Sequence, residues 1–199
     1  MRPRLIDVVA ALWTGLFVLS ATATAQQAVV IKALTEKKVS QLPARPFFWR
    51  VENFPTLAQA QAAASLYGLA AESGGKVWLF TLGAPGGSSA GGTKVVEAGP
   101  LPPLVASDYV LRINEATGPP GSITPVHTHP GSEAAYVLTG EECIRTPKGM
   151  IRVAVGRAEA GPGADTPLQV SSCGSTSLHA LVMFVVDATR PFSSPASFP

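Results

Sequence analysis

The stretch Gly121-Ser-Ile-Thr-Pro-Val-His127-Thr-His129-Pro-Gly-Ser-Glu133-Ala-Ala-Tyr-Val-Leu-Thr-Gly140 puts two imidazoles and a carboxylate within seven residues, framed by two glycines. Imidazole together with carboxylate suits first-row transition metals, and two histidines with one acid form the ligand set of facial non-haem iron sites. The flanking residues favour strands, and in a strand His127 and His129 leave the same face with Cα atoms about 6.5 Å apart. Two imidazoles leaning together across that gap can share an ion. Pro130-Gly131-Ser132 reads as a turn, which would bring Glu133 back beside the histidines on the next strand. A lone histidine beside such a turn is ordinarily a polar loop residue. Here two of the three histidines in the chain fall in one pattern, with an acid four residues on.

The rest of the chain sets the frame for this run. Its 199 residues suffice for one domain with a sizeable core. With 46% hydrophobic and 14% charged residues, 19 Gly and 18 Pro, the composition is turn-rich and strand-friendly. Residues 1–25 stand apart: Arg2 and Arg4 precede an apolar stretch from Val8 to Ser20, and Ala23-Thr-Ala25 is a small-x-small cleavage signal. This reads as a secretory signal peptide, and its apolar stretch is short of the roughly 20 residues a bilayer span needs. The expected location is therefore exported, periplasmic or secreted, without stable membrane insertion once the signal is removed. Losing Arg2, Arg4 and Asp7 takes the net charge from +2 to +1, which argues against nucleic acid as a partner. Export makes Cys143 and Cys173 candidates for a disulfide, with two small buried thiols as the alternative.

Thr56 and Gln59 form a capping-box pair ahead of an alanine-rich run that Gly74-Gly75 closes, predicting a helix over about 56–72. Pro46-Phe-Phe-Trp49 with Val51 and Phe54 reads as an aromatic cluster sealing a core edge. From Lys76 onward, short strand-like runs alternate with turn signals. Glu141 to Arg145 and Met150 to Val155 pair naturally around Thr146-Pro-Lys-Gly149, and Leu168 to Ser172 and Leu178 to Val186 follow. Such a series argues for an all-β sandwich or barrel. Gly83 to Gly92 lacks the Gly-Lys-Ser/Thr ending of a phosphate loop and reads as a flexible loop.

The pattern Gly121-x5-His127-x-His129-x3-Glu133-x6-Gly140 resembles the first signature motif of the cupin superfamily at every fixed position. Gly156-Arg-Ala-Glu-Ala-Gly-Pro162-Gly163-Ala-Asp-Thr166 resembles the second motif, one residue short. The resemblance implies an all-β fold, a cupin small-barrel jelly roll, with the one N-terminal helix packed on it. The implied organisation is an N-terminal extension over 26–106 carrying the helix and additional strands, a barrel core over 107–190 and an irregular tail over 191–199. It also implies His127, His129 and Glu133 as ligands of a divalent transition metal, iron or manganese first, with zinc, nickel or copper as alternatives. The family's fourth ligand is a histidine, and Thr166 stands at its place here; Asp165 or Gln169 would substitute if the shortened motif shifts the register. His179 lies on the final strand and is expected to be structural. The same topology sets Cys143 near Cys173 and favours the disulfide.

Alternation from Glu133 puts Ala135, Val137 and Thr139 inside the barrel, a small and largely apolar lining that suits a modest organic molecule. Tyr136 and Leu138 fall on the opposite face, where the helix or the Phe192/Phe198 tail is expected to cover them. Two functions compete. One is an exported metal-dependent oxygenase acting on a small organic compound, with Glu133 doubling as a catalytic base. The other is a non-enzymatic small-molecule-binding or sensing cupin whose metal site is degenerate or structural. Exposed strand edges leave room for a homodimer.

Overall fold

The computed structural model describes residues 27–199, so the expected signal peptide lies outside the described residues. The chain folds as layered antiparallel β-structure. Five strands pair in the order β1 (Val30–Val39), β6 (Tyr109–Gly118), β13 (Leu178–Asp187), β8 (Gly131–Thr139), β11 (Ala158–Ala160). A facing three-stranded sheet runs β10 (Gly149–Ala154), β9 (Glu141–Thr146), β12 (Gln169–Ser172). The hairpin expected around Thr146 to Gly149 forms, with Met150 opposite Arg145. These two sheets enclose an apolar interior from Ala135, Val137, Ala180, Val182 and Phe184 on one side and Ile144, Leu168 and Val170 on the other. Cys143 and Cys173 form the disulfide, with Cα atoms 5.8 Å apart.

The opposite face of the five-stranded sheet is buried as well, and its cover is neither the helix nor the tail. A third sheet, in the order β3 (Gly68–Ser73), β4 (Lys76–Gly83), β2 (Phe48–Phe54), β5 (Thr93–Ala98), lies against it. Trp49, Trp78, Phe80 and Leu82 from this sheet pack on Leu111, Ile113, Tyr136, Leu181 and Met183. Trp78 meets Tyr136 edge to face at 5.9 Å, and Leu138 packs at the margin of the same cluster. The aromatic run expected at a core edge is thus the interior strand β2, where Trp49 and Val51 are fully buried. Burial of several such side chains, each about 1.5–3 kcal/mol, makes this layer integral to the molecule. β1, from the segment expected as N-terminal extension, is an edge strand of the barrel sheet.

The helix is shorter than its alanine content predicts and packs elsewhere. Thr56 caps α1 (Leu57–Ala63), its hydroxyl accepting the Gln59 N–H at 3.2 Å. The helix then ends, and residues expected to continue it become β3. Leu69, Ala71 and Ser73 are buried while Glu72 is exposed, a period of two that pairing with β4 rewards more than helix propensity does. Gly74-Gly75, with φ of 59° and 71°, is the two-residue turn of this hairpin, a conformation that glycine adopts without a Cβ clash. α1 rests through Ala60 on Phe54 and Leu79, on the outer face of the third sheet. The Gly83 to Gly92 loop is tied down: Arg50 donates to the Gly86 carbonyl, and the buried Glu52 accepts from the Ser89 N–H and hydroxyl. Among the described residues no helix is long and apolar enough to cross a membrane.

Candidate metal centre and pocket

The first motif does not make two adjacent strands, as its turn suggested. β7 (His127–Thr128) pairs with β14 (Ser194–Pro195) of the C-terminal tail and bridges to Leu168, whereas β8 enters the five-stranded sheet. The chain therefore crosses from one side of the barrel to the other at His129-Pro130. Apart from β14, the tail is irregular as expected.

The crossing still gathers the ligands. The His127 and His129 rings meet edge to face with centroids 4.9 Å apart. His129 Nδ1 donates to the Phe192 carbonyl at 2.7 Å, and His127 Nδ1 donates to the Pro125 carbonyl at 2.9 Å. A carbonyl only accepts, so each imidazole holds its proton on Nδ1 and presents an Nε2 lone pair. Metal-ligating histidines are oriented in this way. His129 Nε2 faces Glu133 Oε2 at 3.8 Å, too far for a hydrogen bond, and Glu133 Oε1 is buried without a partner. Burial holds His129 down to about 4 despite its bond to Phe192, with His127 and Arg112 adding to the effect. Burial, then the charge of Glu142, pushes Glu133 up to about 8. Gly161 makes room for this carboxylate: a Cβ there would lie 2.7 Å from Glu133 Cγ.

These groups fit a divalent cation in kind, with two imidazoles whose Nε2 atoms are left free by the carbonyl bonds and a buried carboxylate oxygen without a partner. They are not closed to a single point, since the donor atoms of His127, His129 and Glu133 do not all lie within 4.8 Å of one another. The described cluster that is so closed, Glu141 with Cys143 and Cys173, has its sulfurs in the disulfide and is no metal site. Thr166 lies between Asp165 and Leu168, whose N–H groups bond the His129 and His127 carbonyls, but it lines a different pocket, beside Pro102 and Lys148. Asp165 is engaged by Arg190 at 2.6 Å, and the Gln169 amide donates to the Thr124 carbonyl at 3.0 Å. Neither substitutes for the missing histidine. His179 is structural, as expected: with Ser73 it binds Glu115 and joins the third sheet to the barrel.

A pocket of about 480 Å³ opens beside the two histidines. Val182, Phe184, Val170 and Ala116 give it an apolar wall. Of the residues that alternation set inside, Ala135 and Val137 are buried in the cluster behind this wall, whereas Thr139, at the end of β8, is exposed. Three polar residues in it escape the sequence reading. Arg112 and Asn114 line it from β6, joined by a 2.8 Å hydrogen bond, and the Arg112 guanidinium lies 4.3 Å from the Phe192 ring centre. Their alternation with Leu111 and Ile113 resembles a solvent-facing pattern, and only the three-layer packing turns that face inward. The third is Glu142 on β9, 1% exposed and pushed up to about 7 by burial. Its signal was its parity with Ile144, since i and i+2 share a face.

No family model matches the chain, and no curated protein does. Solved structures overlap part of it. A cupin-like protein from Thermotoga maritima msb8 matches at 13% identity over 44% of this chain and 65% of its own, with a TM-score of 0.39. The DMSP lyase DddQ from Ruegeria pomeroyi DSS-3 matches at 21% identity over 43% of each chain, TM-score 0.37. The polyketide cyclase RemF from Streptomyces resistomycificus matches at 22% identity over 45% of this chain and 62% of its own, TM-score 0.37. The chain spans less than two thirds of each of these structures. The two facing antiparallel sheets, with the first motif at their crossing, form the all-β barrel that the motif resemblance implies.

Proposed function

We propose that the pocket is a small-molecule site built around a divalent transition metal, iron or manganese, held by His127, His129 and Glu133, and that the protein is an exported oxygenase acting on a small, largely apolar organic compound. The observation that carries this reading is the pair of backbone carbonyls fixing both imidazoles with Nε2 lone pairs free beside a buried carboxylate without a partner. A redox-active ion at these ligands supplies dioxygen activation. The chain's own residues bind and orient. Phe184 and Phe192 present aromatic faces to an apolar substrate, and Phe192 packs on both Phe184 and His129. Arg112 offers a cation to a polar end of the substrate. In this reading Glu133, ionised when a cation is bound beside it, acts as the base. Export accords with the N-terminal pattern and with the disulfide.

The open spacing of the three donors favours a second reading, a binding module without turnover. Oxygen consumption by iron-loaded protein with a panel of phenols and small carbonyl compounds separates the two. Uptake that depends on substrate and is lost in His127→Ala/His129→Ala supports the oxygenase; saturable ligand binding with no uptake assigns the pocket to capture.

A further inference from the structure

Glu142 has no part in the first motif, yet it faces the same interior. On β9 it stands opposite Val153 of β10 and Ser172 of β12, on the strand face that also buries Ile144. Its side chain is 1% exposed, and its Oε2 has no hydrogen-bond partner. It lines the pocket together with His127 and His129, and its charge acts on Glu133. Both carboxylates are buried, and each has an oxygen that nothing in the protein satisfies, although no three donors among His127, His129, Glu133 and Glu142 lie within 4.8 Å of one another. Leaving such groups buried is costly unless a cation or hydrogen-bond donors meet them. Thr166 lines a separate pocket, and the side chains of Asp165 and Gln169 are engaged by Arg190 and the Thr124 carbonyl.

We propose that Glu142 is the fourth protein ligand of the metal, doing from β9 what a histidine does from the second motif in the family this chain resembles. The inference rests on the reading of the barrel as a metal site and makes that site more specific. Glu133 alone leaves a divalent ion with a net positive charge against an apolar wall, and Glu142 neutralises it. The resulting set of two imidazoles and two carboxylates is richer in oxygen and matches manganese or iron better than copper.

The test is titration of the full chain with Mn(II), read by calorimetry and by the electron paramagnetic resonance spectrum of the bound ion. Wild type is compared with Glu142→Gln, which keeps the shape of the side chain, with Thr166→Ala and with His127→Ala/His129→Ala. Near-ultraviolet circular dichroism checks that each variant is folded. Loss of a direct ligand in Glu142→Gln is expected to weaken Mn(II) binding about 100-fold or more, the upper end of what a merely supporting residue costs. It should also change the spectrum of the ion that still binds, while Thr166→Ala matches wild type in both. If Glu142→Gln binds Mn(II) with wild-type affinity and spectrum while the double histidine variant does not bind, Glu142 is no ligand and the three-ligand site stands. If wild type binds no Mn(II), the metal reading fails and this inference fails with it.

Discussion

Replacing Glu133 by glutamine is expected to make the metal-free protein less sensitive to rising pH. The unfolded carboxyl ionises near 4.5, whereas burial and the Glu142 charge push the folded one up to about 8. Between those values the unfolded chain has released a proton that the folded chain keeps, so stability falls as pH rises, by about 1.4 kcal/mol per pH step. From pH 6.5 to 8 the loss is about 2 kcal/mol. The interval is chosen because His129 acts in the opposite sense below it. Burial takes His129 down to about 4 from 6.5, so its contribution grows with pH and is complete by about 6.5. Glu142, pushed up to about 7, has the same sign as Glu133, and the comparison between variants cancels most of it. The assay is urea unfolding in excess chelator at the two pH values, followed through the buried Trp49 and Trp78. Glu133→Gln should lose about 2 kcal/mol less than wild type across the interval. Excess Mn(II) should then stabilise wild type more than the variant, by mass action. Equal pH slopes in the two proteins would show that Glu133 is already ionised in the fold, and would refute the argument that it lacks a partner.

Three further outcomes are expected. Cys143→Ser/Cys173→Ser removes a cross-link between residues 30 apart, which loop entropy values at about 3–4 kcal/mol; identical urea midpoints for oxidised and chemically reduced wild type would contradict this. Gly161→Ala places a Cβ 2.7 Å from Glu133 Cγ, so it should cost about 1–3 kcal/mol and weaken Mn(II) binding, and undiminished affinity would mean that the carboxylate has room to move. Glu115 is held below the usual carboxylate range, first by the Ser73 hydroxyl and then by His179, against some desolvation. Its contribution is therefore present above about pH 4.5 and lost as pH falls below it, so Glu115→Gln should flatten acid unfolding there; superimposable acid profiles would sink that account.

The strands of the barrel were legible because their signals are local. The β9–β10 hairpin follows from two apolar runs about a Pro-Lys-Gly turn, and β13 from a continuous apolar run. The residues of the third sheet were harder to place because their meaning is tertiary. The chain from Gly68 to Ser73 carries both alanine, which favours helix, and alternation, which favours strand, and pairing with β4 decides between them. Nothing local marks β2 to β5 as the layer that covers Tyr136, so the sequence points instead to the helix and the tail. In the site, His127, His129 and Glu133 carry a spacing signature, whereas Arg112, Asn114 and Glu142 do not. Their inward direction depends on which sheet lies behind each strand.

The central claim, a metal held by the first motif, is tested most directly by the metal content of the purified protein beside His127→Ala/His129→Ala, after both have been offered Fe(II) and Mn(II) and desalted. One equivalent of iron or manganese in wild type and none in the variant is the predicted result. Equal metal content in the two proteins, or none in either, would contradict it.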